Sequence, residues 1–297
     1  ALSASPPEGE AEAPALGAPV DVYVRKRPLF RHEDARGEYD CVSVLAGREV
    51  VVHNCQMHAD LKRMFVRHQA FPASRAFGEA CGDEEVYELA AAPLVRNALA
   101  GGTAALFMYG QTGSGKTHTL FGPDGALETA HRRAAEGAGA LEAALPACAG
   151  VAPRALAELL GAAEEMRSER GVRVSVDAQY VQVYNDKLTC LLSGRPAALM
   201  ASGGGAGGQV LQGAAEVRLE GPADALRCLL EGEARKRYAE TAMNARSSRA
   251  HTILLLSVTQ ARGEGAVRSQ LHLVDLAGSE QLKQSRAAGQ RRGEAIG

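Results

Sequence analysis

Residues 110–119 read Gly-Gln-Thr-Gly-Ser-Gly-Lys-Thr-His-Thr, and this stretch decides the fold. It matches G-x-x-x-x-G-K-[ST], the pattern of a phosphate-binding loop. The preceding run, 103–109 (TAALFMY), is short and apolar, which predicts a buried parallel strand. A helix is expected to begin near Lys116, so strand, glycine loop and helix start follow one another as phosphate binding requires. The alternative is a chance match in a glycine-rich chain, and a strand in the right place makes that alternative the weaker one.

The side chains of this loop predict how it would hold a nucleotide. Gly110, Gly113 and Gly115 let the backbone turn tightly, with N–H groups pointing inward around an anion. Lys116 supplies a mobile positive charge for the β- and γ-phosphates, and the Thr117 hydroxyl is a ligand for Mg²⁺. The sequence therefore predicts a nucleotide site that works with Mg²⁺.

Composition limits the class of protein. A length of 297 residues and a hydrophobic fraction of 46% predict one large domain, or two small ones, with a packed core. The net charge of -2 gives no overall field that would attract nucleic acid or a membrane surface, so binding to a charged polymer would need a local patch. The six cysteines form no C-x-x-C pair, which argues against a zinc site and fits reduced thiols in a cytosolic protein. We see no apolar run long enough for a membrane span and no signal-peptide pattern.

The chain before the loop predicts a disordered lead-in followed by short elements. Residues 1–19 are rich in Ala, Pro and Glu with few large apolar side chains, so we expect them to be disordered. Within the helix-prone stretch 54–69, Lys62, Arg63 and Arg67 would form one basic edge or remain solvated charge. The elements predicted before the loop are a strand at 20–24, a hairpin at 41–53, a helix at 54–69, a strand at 71–77 and a helix from 82 to about 99 interrupted near Pro93.

The chain after the loop alternates between helices and strands. Residues 124–149 are low in complexity and rich in Ala and Gly, which indicates an insertion that is partly helical. The alternation predicts a sheet with helices on both faces. The elements predicted here are a short helix closed by Gly122-Pro123, a helix from 153 to about 166, strands at 172–176 and 180–184, a short helix at 187–192, a flexible loop at 193–208, a helix at 223–238, and strands at 251–260 and 267–273.

Two further motifs could complete the site. Residues 244–251 (NARSSRAH) place small hydroxyls beside a guanidinium, between a helix and a strand. Residues 275–280 (DLAGSE) follow an apolar strand, where an acid such as Asp275 would hold Mg²⁺ through water. Gly278 could offer its N–H to a γ-phosphate without side-chain hindrance. Taken separately, the first motif could be a polar turn and the second a strand-to-loop turn.

Together these motifs resemble the kinesin motor domain, over about residues 20–297. The loop YGQTGSGKTHT, the switch I motif NARSSRAH and the switch II motif DLAGSE carry the resemblance, with Ala250 in place of a serine. The stretches RKRP at 25–28 and YVQVYNDKLTCLL at 180–192 add to it, with Cys190 where Asp is usual. The resemblance implies an α/β P-loop NTPase fold, a three-layer sandwich whose central sheet is mixed and mostly parallel with helices on both faces.

The resemblance also implies roles for individual residues. Arg25, Pro28 and His118 would pack on adenine, and Arg249 and Glu280 would form a salt bridge that closes the two switches around ATP. The residues implied to bind ATP are Arg25, Pro28, Gly110, Gln111, Thr112, Gly113, Ser114, Gly115, Lys116, Thr117 and His118. Those implied in catalysis are Ser247, Ser248, Arg249, Gly278 and Glu280. Those implied to hold Mg²⁺ are Thr117, Ser248 and, through water, Asp275.

A kinesin-like motor would have microtubules as its partner and would act in the cytoplasm, on the cytoskeleton. The resemblance implies no nucleic acid partner and no membrane span, and the sequence identifies no cargo.

The stretches VYVRKRPL and 54–69 resemble the microtubule-depolymerising kinesins, although His58-Ala59-Asp60 stands where those have Lys-Val-Asp. The run after switch II looks more like conventional plus-end motors. We expect the motor domain to be cut short before its relay helix. The candidate microtubule contacts are Lys283, Arg286, Arg291 and Arg292.

Three hypotheses of function remain at this point. The first is a microtubule motor that hydrolyses ATP, of the translocating or the depolymerising kind. The second is a microtubule-binding module that holds nucleotide and does not move, against which the intact Arg249, Asp275 and Glu280 argue. The third is a general P-loop NTPase acting on small molecules or nucleic acid, which two matching switch motifs make the weakest.

Overall fold

The computed structural model describes residues 20–59, 61–137, 139–201, 209–242, 250–262 and 265–279. The predicted lead-in therefore lies outside the described part of the chain. The chain divides into two compact units, 1–82 and 83–297, and each is described by itself. Across the described ranges, no helix combines the length and apolarity that crossing a membrane would need.

The first unit is built mainly from short strands. Its elements are β1 (Tyr23–Arg25), α1 (Arg31–Asp34), β2 (Val42–Leu45), β3 (Glu49–Met57), β4 (Met64–Pro72) and β5 (Arg75–Phe77). β1 pairs in parallel with β5, and β2, β3 and β4 form an antiparallel sheet in that order. The predicted hairpin at 41–53 is confirmed, with positive φ at Ala46 and Gly47 in its turn. The single strand predicted at 71–77 is divided between β4 and β5.

The helix predicted at 54–69 is wrong, because these residues form a second β-hairpin. β3 continues to Met57, and β4 begins at Met64 directly opposite it. The run Val50 to Val52 favours an extended strand, since β-branched side chains lose rotamer freedom in a helix, and the pairing with β4 continues from there. The three basic residues of this stretch divide between the turn and β4, so they share no helical edge.

The second unit contains the large sheet. Its strands are β6 (Thr103–Met108), β7 (Val174–Tyr184), β8 (Lys187–Cys190), β9 (Pro196–Ala201), β10 (Gln209–Gln212), β11 (Val217–Arg218), β12 (His251–Arg262) and β13 (Gly265–Asp275). The strands lie in the order β10-β9-β8-β7-β12-β13-β6, and β11 pairs with β7. The predicted mixed sheet is confirmed, since β6 is parallel to β13 and the other described pairs are antiparallel.

The expectation of a mostly parallel sheet is therefore wrong for the described residues. Short connections account for the pairs β7–β8, β8–β9 and β12–β13, because strands joined by a few residues run antiparallel. The pair β7–β12 is antiparallel as well, although its strands lie far apart in the chain. β6 is parallel as predicted, but it is not the buried strand that its composition indicated. Its side chains alternate between exposed and half-buried, and Phe107 is 60% exposed, because β6 stands at the end of the described strand order.

The helix predicted at 187–192 is also wrong, because a tight turn sends the chain back as a strand. Asn185 and Asp186 both have positive φ, 50° and 58°, as the two-residue type I′ turn of a hairpin requires. Tyr184 consequently pairs with Lys187, and β8 runs antiparallel to β7. Part of the predicted loop at 193–208 is strand as well, since β9 pairs with both β8 and β10.

The helices of the second unit contact this sheet and one another. The predicted interruption near Pro93 is confirmed, because a π-helical turn, Tyr87–Ala91, lies directly before it. The predicted helices from 153 and from 223 both exist and are longer than expected. The helices are α2 (Asp83–Val86), α3 (Ala92–Leu99), α4 (Lys116–Phe121), α5 (Ala126–Ala135), α6 (Leu141–Ala144), α7 (Val151–Arg170) and α8 (Pro222–Ala242).

The core lies between these helices and the sheet. Its fully buried leucines come from α4, α7, α8, β12 and β13. The low-complexity stretch 124–149 also reaches the core, through Leu127, Ala130 and Leu141. Its expected partial helicity is confirmed by α5 and α6, and its small residues allow them to pack closely.

Helix α8 approaches β7 at a glycine. A Cβ on Gly232 would lie 2.1 Å from a ring carbon of Tyr180, and that ring is buried with its hydroxyl bonded to Glu233. Because neither side has room to move, only glycine allows this approach. The contact fixes the depth at which α8 sits on the sheet.

We expect Gly232→Ala to destabilise the protein by about 1–3 kcal/mol, because the added methyl overpacks the core. Urea unfolding followed by circular dichroism would measure this change. Gly161→Ala is the matched control, since Gly161 lies in α7 with open space at its Cβ position. There alanine should stabilise by about 0.5–1 kcal/mol through helix propensity alone. Equal effects at the two glycines would contradict the close contact.

Candidate functional site

The site forms where two neighbouring strands end. β6 and β13 are parallel, and Asp275 at the end of β13 lies opposite Met108 at the end of β6. The chain beyond β13 then follows the loop beyond β6, because Leu276 N donates to Met108 O at 3.2 Å and Ser279 N to Gly110 O at 3.1 Å. The phosphate-loop motif and the start of the DLAGSE motif are thus side by side.

The glycine loop has the backbone that its sequence predicts. Gly110, Gly113 and Gly115 all have positive φ, at 155°, 78° and 95°. A Cβ on Gly110 would meet the Ser114 Oγ at 2.5 Å, so a larger residue would push into the loop. α4 begins at Lys116. The Nζ of Lys116 donates to the carbonyl oxygens of Gly110 and Gln111, each at 2.9 Å. The flexible cation therefore lies against the loop that would hold a phosphate.

A hydroxyl, a carboxylate and an ammonium converge next to this loop. Thr117 Oγ1 donates to Asp275 Oδ2 at 2.6 Å, and Lys236 Nζ donates to the same oxygen at 3.0 Å. The Asp275 side chain is 6% exposed and that of Lys236 is 11% exposed. Lys236 Nζ also lies 5.7 Å from the centre of the Phe121 ring, a favourable position for a cation. Asp275 is thus held from the loop side and from α8.

Lys236 is the site residue that sequence reasoning missed. It is the middle of three consecutive basic residues on α8, and the letters do not distinguish it from its neighbours. The structure does, because Arg235 donates to Leu191 O and Arg237 pairs with Asp124, while Lys236 alone of the three reaches Asp275. Spacing from an acid gives no such signal, because Arg235 and Arg237 also follow an acid at helical spacing.

A second acid lies behind Lys236. The Glu233 carboxylate is 8% exposed, lies 3.7 Å from Lys236 Nζ through Oε1, and accepts a hydrogen bond from the Tyr180 hydroxyl. Burial, together with the Glu233 carboxylate, holds the pKa of Tyr180 well above its ordinary value, so the phenol remains a donor. A buried chain of polar contacts therefore links Thr117 to Tyr180.

Six residues of the predicted phosphate loop, together with Asp275 and Gly278, line one cavity of about 310 Å³. Ala277, which lines it, is anchored because its N–H donates to His251 Nδ1 at 3.1 Å. The lining residues are Thr112, Gly113, Gly115, Lys116, Thr117, His118, Lys236, Ala250, Asp275, Leu276, Ala277 and Gly278.

These residues fit a nucleotide phosphate and a divalent cation. The positive-φ glycines leave a cradle without side chains, which suits an anion. Asp275 Oδ1 is buried, and among the described residues it has no hydrogen-bond partner. A hydroxyl and a carboxylate oxygen are hard ligands of the kind Mg²⁺ takes in nucleotide sites.

Comparison with known proteins identifies the family. A model of the kinesin motor domain matches residues 25–296. The chain belongs to the kinesin motor domain family. A solved structure described as "Structure of a fast kinesin: Implications for ATPase mechanism and interactions with microtubules" aligns with a TM-score of 0.75 at 25% identity, covering 93% of this chain and 70% of that one. The α/β fold expected of a kinesin motor, with a mixed central sheet, is thereby confirmed.

Curated kinesins agree with this assignment. The chain is 32% identical over 287 residues to the chromosome-associated kinesin KIF4 of Mus musculus, and 32% over 275 residues to the kinesin-like protein Klp61F of Drosophila melanogaster. These alignments cover 94% and 90% of this chain but only 21% and 24% of those relatives. The chain thus spans about a quarter or less of the curated kinesins it matches.

Several residues predicted for the kinesin site are not brought to it by the described structure. Arg25 ends β1 and Pro28 follows it, both in the first unit, so their place at the adenine stays a prediction. His118, the third of that set, lines the cavity. The predicted residues that lie outside the described ranges are Ser247, Ser248, Arg249, Glu280, Lys283, Arg286, Arg291 and Arg292, together with Asp60 of the comparison with depolymerising kinesins.

Proposed function

We propose that this kinesin motor domain binds ATP with Mg²⁺, hydrolyses it and uses the cycle to act on microtubules. The convergence of Lys116, Thr117 and Asp275 at the ends of β6 and β13 is the observation that supports it best. A phosphate loop alone would explain nucleotide binding. The carboxylate beside the Thr117 hydroxyl adds the metal-binding group that phosphoryl transfer requires.

Each residue has a defined part in this proposal. The loop N–H groups and Lys116 bind the phosphates, and Thr117 and Asp275 hold the metal, Asp275 through water. Mg²⁺, when bound, neutralises charge that develops on the transferred phosphoryl group. Gly278, which lines the cavity, would offer its N–H to the γ-phosphate. Ser247 would position the γ-phosphate or the attacking water, and Ser248 would contact Mg²⁺.

Microtubules are the proposed partner, in the cytoplasm and cytoskeleton. The support is family membership and the similarity to a fast kinesin whose description names both ATPase mechanism and microtubule interactions. The proposed contacts are the cations that follow switch II: Lys283, Arg286, Arg291 and Arg292. A microtubule surface is strongly acidic, so this binding should weaken as salt rises.

The experiment that tests the proposed function combines binding and turnover. A fluorescent ATP analogue should bind saturably in MgCl₂ and far less in EDTA, and steady-state ATPase should be measured with and without microtubules. Absence of saturable binding would overturn the proposal. Nucleotide binding with negligible turnover would favour the alternative of a non-motile module. Filament shortening instead of gliding on coated glass would indicate a depolymerising kinesin.

Arg249 and Glu280 should act as one unit. Either alanine substitution should slow single-turnover hydrolysis much more than it weakens ATP binding, and the double variant should be little slower than the singles, because both break the same bridge. The exposed pair Glu164 and Arg167 on α7, 2.9 Å apart, provides the control, and its removal should leave hydrolysis unchanged. Additive losses at 249 and 280 would contradict a shared function.

A further inference from the structure

Two buried acids share one ammonium behind the proposed metal site. Lys236 Nζ is 3.0 Å from Asp275 Oδ2 and 3.7 Å from Glu233 Oε1. The side chains of all three are at most 11% exposed, so water screens them poorly. The ammonium is thus placed between two possible counter-ions, one of which also faces the Thr117 hydroxyl.

The two acids are not equivalent. Asp275 lines the cavity, at the point where the glycine loop and β13 meet, and would hold a divalent cation through water. Glu233 is outside that cavity lining, on α8, and its Oε1 is fixed by the hydroxyl of Tyr180. Tyr180 in turn cannot shift, because Gly232 packs directly against its ring. One counter-ion is therefore available to a metal, and the other is held in place by the core.

A dication at Asp275 would repel the ammonium that is bonded to the same carboxylate. Burying an ammonium without a partner is costly, so its departure from Asp275 needs another acid within reach. Glu233 supplies one on the same helix, three residues away, and the Phe121 ring lies beside the ammonium. A short swing of the Lys236 side chain then exchanges one buried ion pair for another.

We propose that Glu233 is a positioning residue that receives the Lys236 ammonium when Mg²⁺ engages Asp275, and that it thereby sets the Mg²⁺ concentration at which the site retains nucleotide. The inference rests on the proposed Mg-nucleotide function. It concerns how easily the metal enters, and assigns Glu233 no contact with substrate.

The test is a MgCl₂ titration of the whole chain with a fluorescent ATP analogue, read as nucleotide bound. Glu233→Gln keeps the shape and can still accept the Tyr180 hydrogen bond, but it removes the charge. The Mg²⁺ concentration for half-maximal retention should rise about ten-fold, while nucleotide affinity in EDTA stays unchanged. Glu231→Gln is the matched control: it removes an exposed acid two residues earlier on α8 and should shift nothing.

A Lys236→Gln background separates this role from a merely structural one. Without the ammonium, Glu233→Gln should no longer change the Mg²⁺ requirement. An unchanged Mg²⁺ requirement in the single variant, or the same shift in the Lys236→Gln background, would overturn the inference. If Glu233→Gln does not fold by circular dichroism, Glu233→Asp retracts the carboxylate and should give a smaller shift in the same direction, whereas no shift would overturn it. Failure of the unmodified chain to bind nucleotide in Mg²⁺ would instead be seen before any variant and would overturn both proposals.

Discussion

Replacing Lys116 with alanine should lower the affinity for Mg-ATP by more than about 100-fold, since charge-assisted hydrogen bonds to two phosphates would be lost at about 1.5 kcal/mol or more each. The cation lies within the loop, where it donates to Gly110 O and Gln111 O, whereas the other ammonium of the cavity, that of Lys236, is bonded to Asp275. Equilibrium titration with a fluorescent ATP analogue would measure the loss.

The fold should tolerate this change. Gln111 is exposed and Gly110 half-buried, so water can hydrate the two carbonyl oxygens that lose their donor. Lys187→Ala, at the exposed first residue of β8, is the charge-matched control and should bind like the unmodified chain. If Lys116→Ala bound the ATP analogue as tightly as the unmodified chain, Lys116 would have no part in nucleotide binding.

Asp275→Asn should reduce ATP turnover on the order of 100- to 1000-fold and raise the Mg²⁺ concentration that nucleotide binding requires. The carboxylate is the described acid closest to the Thr117 hydroxyl, and the neutral amide that replaces it would hold the metal-bound water less strongly. Lys236 retains Glu233 as its counter-ion, so the loss should be larger in activity than in stability. Turnover with and without Mg²⁺, alongside thermal unfolding, would measure both.

Asp124→Asn is the control that separates the loss of one negative charge from the loss of the Asp275 carboxylate. Its side chain is 98% exposed and pairs with Arg237, the residue next to Lys236 on α8. Turnover and the Mg²⁺ requirement should be unchanged there, because an exposed ion pair contributes little. A variant Asp275→Asn that keeps the normal Mg²⁺ dependence would contradict the metal site.

The sequence predicted the parts of the site whose chemistry is local. A phosphate loop needs glycines, a lysine and a hydroxyl within ten residues, and their order alone predicts strand, loop and helix. Asp275 could be added because an acid directly after an apolar strand is typical of the metal-binding carboxylate in a nucleotide site. Lys236 could not, because its function depends on which of three adjacent cations faces the sheet, and the packing of Gly232 against Tyr180 decides that.

The errors in the fold have related causes. Residues 54–69 carry charges at helical spacing, but the strand that precedes them continues through Met57 and imposes its pairing on the residues from Met64 onward. Residues 187–192 were predicted to be helical, but Asn185 and Asp186 adopt positive φ and turn the chain back as a strand. Asn and Asp tolerate this conformation without requiring it, so the sequence alone does not predict the turn. In both places a neighbouring strand overrode local propensity.

The parallel pair β6–β13 has a consequence for how the chain folds. Thr117 and Asp275 are 158 residues apart, whereas β12 and β13 form a hairpin from adjacent residues. Closing so long a loop costs entropy that is recovered only after the non-local strands have paired, so such pairs form late. We therefore expect the phosphate pocket to form late in folding. On that expectation, nucleotide in solution would stabilise the folded protein and would not stabilise its folding intermediates.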